Sequence, residues 1–381
     1  MLRRIGSYLD GAKGIAKSWK TPQKILVIES DDWGALRQKN STTYHKLLEQ
    51  GVPVDKDPYD RYDCLESSTD LSLLANTLKS IQNSKGQSPL MTMNTVMANP
   101  DFQSIKNSDF KRYSFVNLKE SYELFGDEKG TLKIYIDGIN KGVFKPQFHG
   151  REHLNVPAWL RSLRGGDPNL LKAFDLDIFG ITSSFKIGDK KNVTRAFDSL
   201  LESDVKFFTQ SVIEGLEMFK ATFGFSSRTM IAPSYTWNHC IEEAALEGGV
   251  TCFQGIRYQF MPSKAIKRIP IPRYTGQRNQ LGQTYLVRNC FFEPSFSSSD
   301  ENAWKETLRQ IRRAFFLKQP AILSTHRLNF IGGIQPENRA QNLKQFHKLL
   351  TSVVESHPEV IFMSSDELYD LIDNKKTLGL F

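Results

Sequence analysis

The chain has 381 residues, 39% of them apolar and 24% charged. A sizeable buried core is within reach, wholesale disorder is excluded, and no run approaches the roughly 18 to 20 apolar residues that would span a bilayer. The 50 lysines and arginines exceed the 42 aspartates and glutamates by eight, but the basic residues are scattered and accompany no RNP, zinc-finger or helix-turn-helix signature, which argues against nucleic acid as a partner.

The first 20 residues, MLRRIGSYLDGAKGIAKSWK, lack the continuous apolar stretch of a signal peptide. Leu2, Ile5, Leu9, Ile15 and Trp19 alternate with Arg3, Arg4, Lys13, Lys17 and Lys20. Such a segment either lies as a helix on an anionic membrane surface or packs on the flank of the domain that follows. Beyond it, Lys24 to Glu29 reads as a strand ending at Ser30-Asp31-Asp32. Residues 40 to 85 are polar and rich in turn formers, and read as an insertion or long loop. Pro89 to Val96 is a second strand. A helix through Leu132 to Ile139 leads to a third, Val143 to Phe148, which ends at His149. Leu170 to Phe174 reads as a short helix and Ile178 to Ile181 as a short strand. Asp204 to Thr222 has helical apolar spacing, Arg228 to Ala232 is a strand, and Asn238 to Glu247 a helix. Val250 to Phe253 is β-like, residues 257 to 282 form a second insertion, and Tyr285 to Phe292 is another strand. The helix Ala303 to Leu317, the strand Ala321 to Thr325, the helix Gln341 to Glu355, the strand Val360 to Met363 and the helix Asp366 to Ile372 complete the chain.

Roughly seven strand-then-helix units imply an α/β fold of parallel strands with helices outside, as an open sheet or a closed barrel. One domain over residues 21 to 375 is expected. Cys64, Cys240, Cys252 and Cys290 are widely spaced and form no CxxC pair, which suits a reducing, cytoplasmic setting.

Parallel α/β folds gather the C-terminal ends of their strands on one face and build sites there. Asp31 and Asp32 follow the first strand, His149 and His153 the third. Pro233-Ser234-Tyr235 follows the strand at 228, Glu293 the strand at 285, and His326 the strand at 321. HGREH (149 to 153) has H-x-x-x-H spacing. On a helix this puts two imidazoles on one face, close enough to share a metal, but Asn155-Val156-Pro157 looks like a helix start, so the pair falls in the preceding turn. Two structural histidines would fit that spacing as well. Two adjacent carboxylates after a buried strand repel each other unless a cation relieves them, although a solvated turn or a helix N-cap would also accommodate them.

Taken together, SDDWG (30 to 34), HGREH (149 to 153), APSYTW (232 to 237) and LSTH (323 to 326) resemble, in order and residue type, the motifs of the polysaccharide deacetylase family (carbohydrate esterase family 4). The resemblance runs from about residue 24 to 372. It departs from the family in three places. Ser30 precedes the aspartate pair, and Trp33 separates it from Gly34. Ile231 stands where the third motif usually carries an arginine that partners the catalytic base, with Arg151 and Arg228 as candidate replacements. Two residues rather than one precede His326.

The resemblance implies a distorted (β/α)7-type barrel with long loop insertions. It implies one divalent metal, zinc in the first instance, on Asp32, His149 and His153, with Asp31 as general base and His326 as general acid. Glu293, or else Asp366, orients His326, although Asp366 also reads as a helix N-cap. The backbone N–H of Tyr235 would hold the oxyanion, and Trp33, Tyr235 and Trp237 would contact sugar. The implied activity is removal of acetyl groups, N-acetyl before O-acetyl, from a carbohydrate. The alternatives are a catalytically silent glycan-binding homologue and a hydrolase of another C–N bond, such as an amide or imide.

Overall fold

Parallel strands covered on both faces are written as continuous apolar runs rather than alternating ones. β1 (Ile25–Trp33) is of this kind, with all nine residues buried. The structure is a computed structural model that describes residues 14–126, 130–187, 190–263, 268–296 and 302–377. After β1 the main sheet takes in β2 (Met91–Thr95), β3 (Phe144–Phe148), β4 (Thr229–Ile231), β5 (Cys252–Gly255), β6 (Thr284–Val287), β7 (Cys290–Phe291), β8 (Ala321–His326) and β9 (Ile361–Met363). The order is β6-β5-β4-β3-β2-β1-β8-β7, with β9 added on β1. Every pairing in it is parallel. This is the α/β architecture expected from the sequence.

The two ends of that order are successive pieces of one stretch of chain. β6 pairs with β5 and β7 pairs with β8, with only Arg288 and Asn289 between them. Arg288 N–H donates to the Gly255 carbonyl at 2.8 Å and Asn289 N–H to the Ile322 carbonyl at 3.1 Å. The chain thus changes partner from one side to the other at these two residues. The sheet is curled until its edges meet at an interrupted strand, a distorted barrel with no continuous ladder across the seam. The single strand expected over Tyr285 to Phe292 is corrected to these two pieces.

Helices α1 (Ser68–Lys79), α2 (Thr131–Asn140), α3 (Glu202–Phe223), α4 (His239–Glu247), α5 (Ala303–Phe316), α6 (Pro336–Ser356) and α7 (Ser365–Thr377) accompany the strands. Residue parity along β1 separates two cores. Ile25 and Val27 share a cluster with Cys252, Leu286 and Ile322 from other strands, and with Leu368 and Ile372 of α7. Leu26 and Ile28 belong to another, built with Leu71 and Leu74 of α1, Tyr135 of α2, Ile311 of α5 and Phe346 of α6. Each such side chain, fully buried, contributes about 2 kcal/mol.

Three expectations change. Residues 40 to 85 are not loop, for they hold helices Ser41–Glu49 and Pro58–Tyr62 as well as α1. α1 is started by a capping box between Ser67 and Asp70. Ile178 to Ile181 is buried but not a strand; the strand begins next, as Thr182–Ile187, in a hairpin with Lys190–Asn192 outside the main sheet. The stretch 257 to 282 holds a second hairpin, Tyr258–Met261 with Ile269–Pro272. Of the N-terminal segment, residues 1–13 lie outside the described residues. Trp19 is buried in the same cluster as Ile25 and Leu368, and its N–H donates to the Thr275 carbonyl at 2.8 Å. No helix among the described residues is long and apolar enough to cross a membrane.

Candidate active site

The register of β1 against β8 sets Asp31 beside His326. That of β2 against β3 sets Thr95 beside Phe148, one residue before His149. The strand ends therefore converge, and the side chains that follow them line a cavity of about 380 Å³, which Asp31, Asp32, His149, His153, Tyr235 and His326 share.

Asp32, His149 and His153 meet there. Both imidazole Nε2 atoms face Asp32 Oδ1, that of His149 at 3.2 Å and that of His153 at 3.3 Å. The HGREH segment is not helical; it is the turn before helix Val156–Arg164. The two rings nevertheless lie 5.0 Å apart between centroids. All three side chains are buried, and their ligating atoms lie within 4.8 Å of one another.

The donor set fits a cation. His149 Nδ1 is 2.8 Å from the Ile231 carbonyl, which can only accept, so Nδ1 carries the hydrogen. In a neutral ring Nε2 then presents a lone pair to a carboxylate oxygen. Two acceptors face each other unless a positive charge lies among them, and burial opposes protonation, pulling the His153 imidazole down to about 3. Burial raises the Asp32 carboxyl, but His153 and His149 outweigh it and hold it well below the usual carboxylate range.

Asp31 is gripped by an arginine that the motif comparison did not point to. Arg288, fully buried, donates from Nη2 to Asp31 Oδ1 at 2.6 Å and from Nη1 to Oδ2 at 2.7 Å, while its Nε donates to Glu29 at 2.6 Å. Asn94 donates to Asp31 Oδ1 at 2.8 Å. Burial pushes the Asp31 carboxyl up, yet the Arg288 guanidinium wins and holds it at about 2. Neither expected replacement reaches Asp31. Arg151 is buried against Glu152 and Glu214, with the Phe115 ring 4.5 Å away. Arg228 makes a bidentate pair with Asp370 of α7, at 2.6 and 2.7 Å. A signal for Arg288 existed: it interrupts the otherwise uncharged strand TYLVRNCFF, where a charge needs a buried partner.

On the facing wall, His326 Nδ1 is 2.6 Å from Glu293 Oε1. Asn329 donates to the other Glu293 oxygen at 2.8 Å. Burial lowers the imidazole, but Glu293 and then Asp31 more than compensate, raising it to about 9. His326 Nε2 turns to the hydroxyl of Tyr59 at 3.0 Å and lies 3.7 Å from Asp31 Oδ2. Of the two carboxylates considered for His326, Glu293 is the one in contact. Asp366 pairs with Lys145 and Arg228 and accepts from Ser364 near the start of α7.

Other expectations are not met. Trp33 is fully buried and donates to Ser30 Oγ at 3.0 Å. Trp237 is fully buried too, stacked on Phe253 at 5.4 Å and bonded to Glu242. Neither can touch a sugar. The Tyr235 N–H already donates to the Ala232 carbonyl at 2.9 Å, so it is not free for an oxyanion; what Tyr235 brings to the cavity is its phenol, 3.3 Å from Arg288 Nη1. Tyr59 came from a stretch read as insertion, and no motif marks it. Cys64, Cys240, Cys252 and Cys290 are all free thiols.

Neither a protein-family model nor a curated protein matches the sequence. Among solved structures, similar folds include a 4-alpha-glucanotransferase from Thermococcus litoralis (TM-score 0.44, 8% identity), of which this chain, matched over 91% of its length, spans only 40%. A candidate polysaccharide deacetylase from Mycobacterium smegmatis matches at TM-score 0.43 and 11% identity over 94% of this chain and 93% of that one. A carbohydrate esterase family 4 pseudoenzyme from Bacillus anthracis matches at 0.38 and 8% over 91% and 65%. Similarity at this level bears on neither activity nor substrate.

Proposed function

We propose that the protein is a metal-dependent hydrolase that removes acetyl groups from a carbohydrate, N-acetyl in preference to O-acetyl. One observation carries this reading. A buried Asp-His-His group is flanked on one side by an arginine-clamped carboxylate and on the other by a carboxylate-backed imidazole, Asp31 and His326, 3.7 Å apart. Asp32, His149 and His153 would hold one divalent ion, zinc suiting their nitrogen and oxygen donors; when bound, it lowers the pKa of its water towards about 7 and polarises the acyl carbonyl.

The chain's own groups divide the remaining work. Asp31, ionised at any working pH, accepts a hydrogen bond from the attacking water and takes its proton as the acyl carbon becomes tetrahedral. Arg288 and Asn94 fix both of its oxygens while it does so. His326, with Nδ1 pinned by Glu293, keeps its second proton on Nε2 at neutral pH and is the acid for the departing group. A neutral, Nδ1-protonated His149 is oriented by the Ile231 carbonyl, the kind of outer partner that ligating imidazoles require.

A silent binding homologue was the alternative because the third motif lacks its arginine. Arg288 offers Asp31 an equivalent bidentate contact from another strand, which supports the catalytic reading. The test is acetate release from N-acetylated oligosaccharides by the zinc-loaded protein, with Asp31→Asn as control. That variant should bind metal stoichiometrically and lose turnover by about 10² to 10⁴-fold. Metal retention with no acetate release by the wild type refutes the proposal.

A further inference from the structure

We propose that Tyr59 passes the proton from His326 to the departing atom, and that Tyr59 and Phe296 together form the surface on which the departing sugar rests; the inference builds on the deacetylase reading. Tyr59 stands on the short helix Pro58–Tyr62, whose N-terminus is tied down by Asp57 accepting the Tyr59 N–H at 2.9 Å. Arg37 packs over its ring at 4.7 Å. The ring meets His326 edge-on at 5.2 Å and Phe296 edge-on at 5.4 Å.

The proton geometry follows from the hydrogens available. Glu293 can only accept, so His326 Nδ1 donates to it, which leaves one ring hydrogen, on Nε2. The Tyr59 oxygen lies 3.0 Å from that nitrogen and is its hydrogen-bond partner. The phenol's own hydrogen is then free to point into the cavity, whose wall Tyr59 shares with Asp31, Asp32 and His326. A departing nitrogen therefore meets the Tyr59 O–H first. As the C–N bond breaks, that hydrogen moves to the nitrogen and the Nε2 proton moves to the phenol oxygen. His326, left neutral, recovers the proton that Asp31 took from the attacking water, across the 3.7 Å that separates them. The sum is one water added across the C–N bond, with acetate and an amine as products.

Phe296 supplies the other half. It is 47% exposed, which is unusual for a phenylalanine, and it lies within 6.5 Å of the His326 ring. A sugar ring has an apolar C–H face that packs on such an aromatic. Trp33 and Trp237, fully buried, leave that role open.

The experiment uses the full chain loaded with zinc and two substrates, an N-acetylated glucosamine oligosaccharide and 4-nitrophenyl acetate, whose leaving group departs without needing a proton. Tyr59→Phe keeps the ring and removes only the hydroxyl. It should lower kcat on the oligosaccharide by about 10²-fold and change turnover of 4-nitrophenyl acetate by less than about twofold. Phe296→Ala should raise KM for the oligosaccharide about tenfold, leaving KM for 4-nitrophenyl acetate unchanged. If Tyr59→Phe affects both substrates equally, or neither, the relay is wrong while the deacetylase reading stands. If Phe296→Ala shifts neither KM, the sugar surface is wrong. If the wild type, with zinc bound, hydrolyses neither substrate, the functional reading fails and takes this inference with it.

Discussion

Replacing Arg288 should cost more stability than any other single polar change in the barrel. Its guanidinium is fully buried and touches two carboxylates that are themselves 0% and 3% exposed, Glu29 and Asp31. Arg288→Met fills much of the same volume and leaves both acids without their cation. Removing one partner of a buried ion pair costs about 3 to 5 kcal/mol. An independent route gives the same scale. The Asp31 carboxyl is held at about 2 against an ordinary 3.8, and a difference of that size corresponds to about 2 kcal/mol at neutral pH, before Glu29 is counted. Because the folded value is depressed, this stability is present above about pH 4 and is lost as pH falls towards 2.

In Arg288→Met the sign reverses. Burial alone now raises both carboxyls, so the variant gains relative to wild type as pH falls below neutrality and they protonate. Urea unfolding at pH 7 in the presence of a chelator should show a loss of about 3 to 5 kcal/mol, out of the 5 to 15 typical of a folded domain. Adding Asp31→Asn and Glu29→Gln to Arg288→Met should recover most of it, since the desolvated charges are then gone. A loss below about 1 kcal/mol, or one that neutralising both acids fails to recover, would refute the claim that the arginine is there to hold two buried charges.

Three further outcomes are expected. Asp32→Asn and His149→Ala should each reduce bound zinc, by elemental analysis after dialysis, from one per chain to near none, whereas Arg151→Met should leave it at one. Trp237→Ala should destabilise by about 3 to 5 kcal/mol in urea and leave KM for glycans unchanged, because the indole is core; a higher KM at unchanged stability would put it back among sugar contacts. His326 is raised from 6.5 to about 9, so its contribution is complete below pH 6.5 and lost as pH rises through 9. The stability difference between wild type and Glu293→Gln should therefore shrink across that window from about 3 kcal/mol, and a difference that stays constant with pH contradicts the pairing.

Local sequence carried a good part of this. Long buried strands such as β1 declare themselves because nothing else fills nine consecutive positions with ILVIESDDW and keeps them all from water. The catalytic-type residues at strand ends were legible because a parallel sheet has only one face on which its C-terminal ends meet. What was hidden depended on contacts distant in sequence. The Arg288–Asp31 clamp spans 257 positions and crosses the barrel seam. The Tyr59–His326 contact spans 267 and arises from a helix of five residues, too short to show periodicity. Trp33 and Trp237 misled for a related reason. An aromatic beside a motif may be turned into the core or into the cleft, and the choice is made by backbone dihedrals that composition does not reveal.

The dihedral that matters most is at Asp32. Along β1 the odd positions Ile25 and Val27 face the barrel interior, and Glu29 and Asp31 continue that row to meet Arg288. The even positions Leu26 and Ile28 face the helices. Strict alternation would send Asp32 outward, away from the histidines, and Trp33 inward. Instead Asp32 takes a left-handed φ of 75°, and the pairing of β1 with β2 slips between Ser30 and Trp33. A left-handed conformation at a non-glycine residue is uncommon and costs of the order of 1 kcal/mol, least for aspartate and asparagine. The consequence is that two successive carboxylates face one cavity, one towards arginine and one towards two imidazoles, while Trp33 swings into the outer core. Gly34 completes the turn at φ 80°, where a Cβ would lie 2.6 Å from the Val96 carbonyl oxygen. The Asp-Asp-Trp-Gly sequence is thus a backbone device as much as a set of ligands, and its tryptophan is the counterweight that keeps the turn seated.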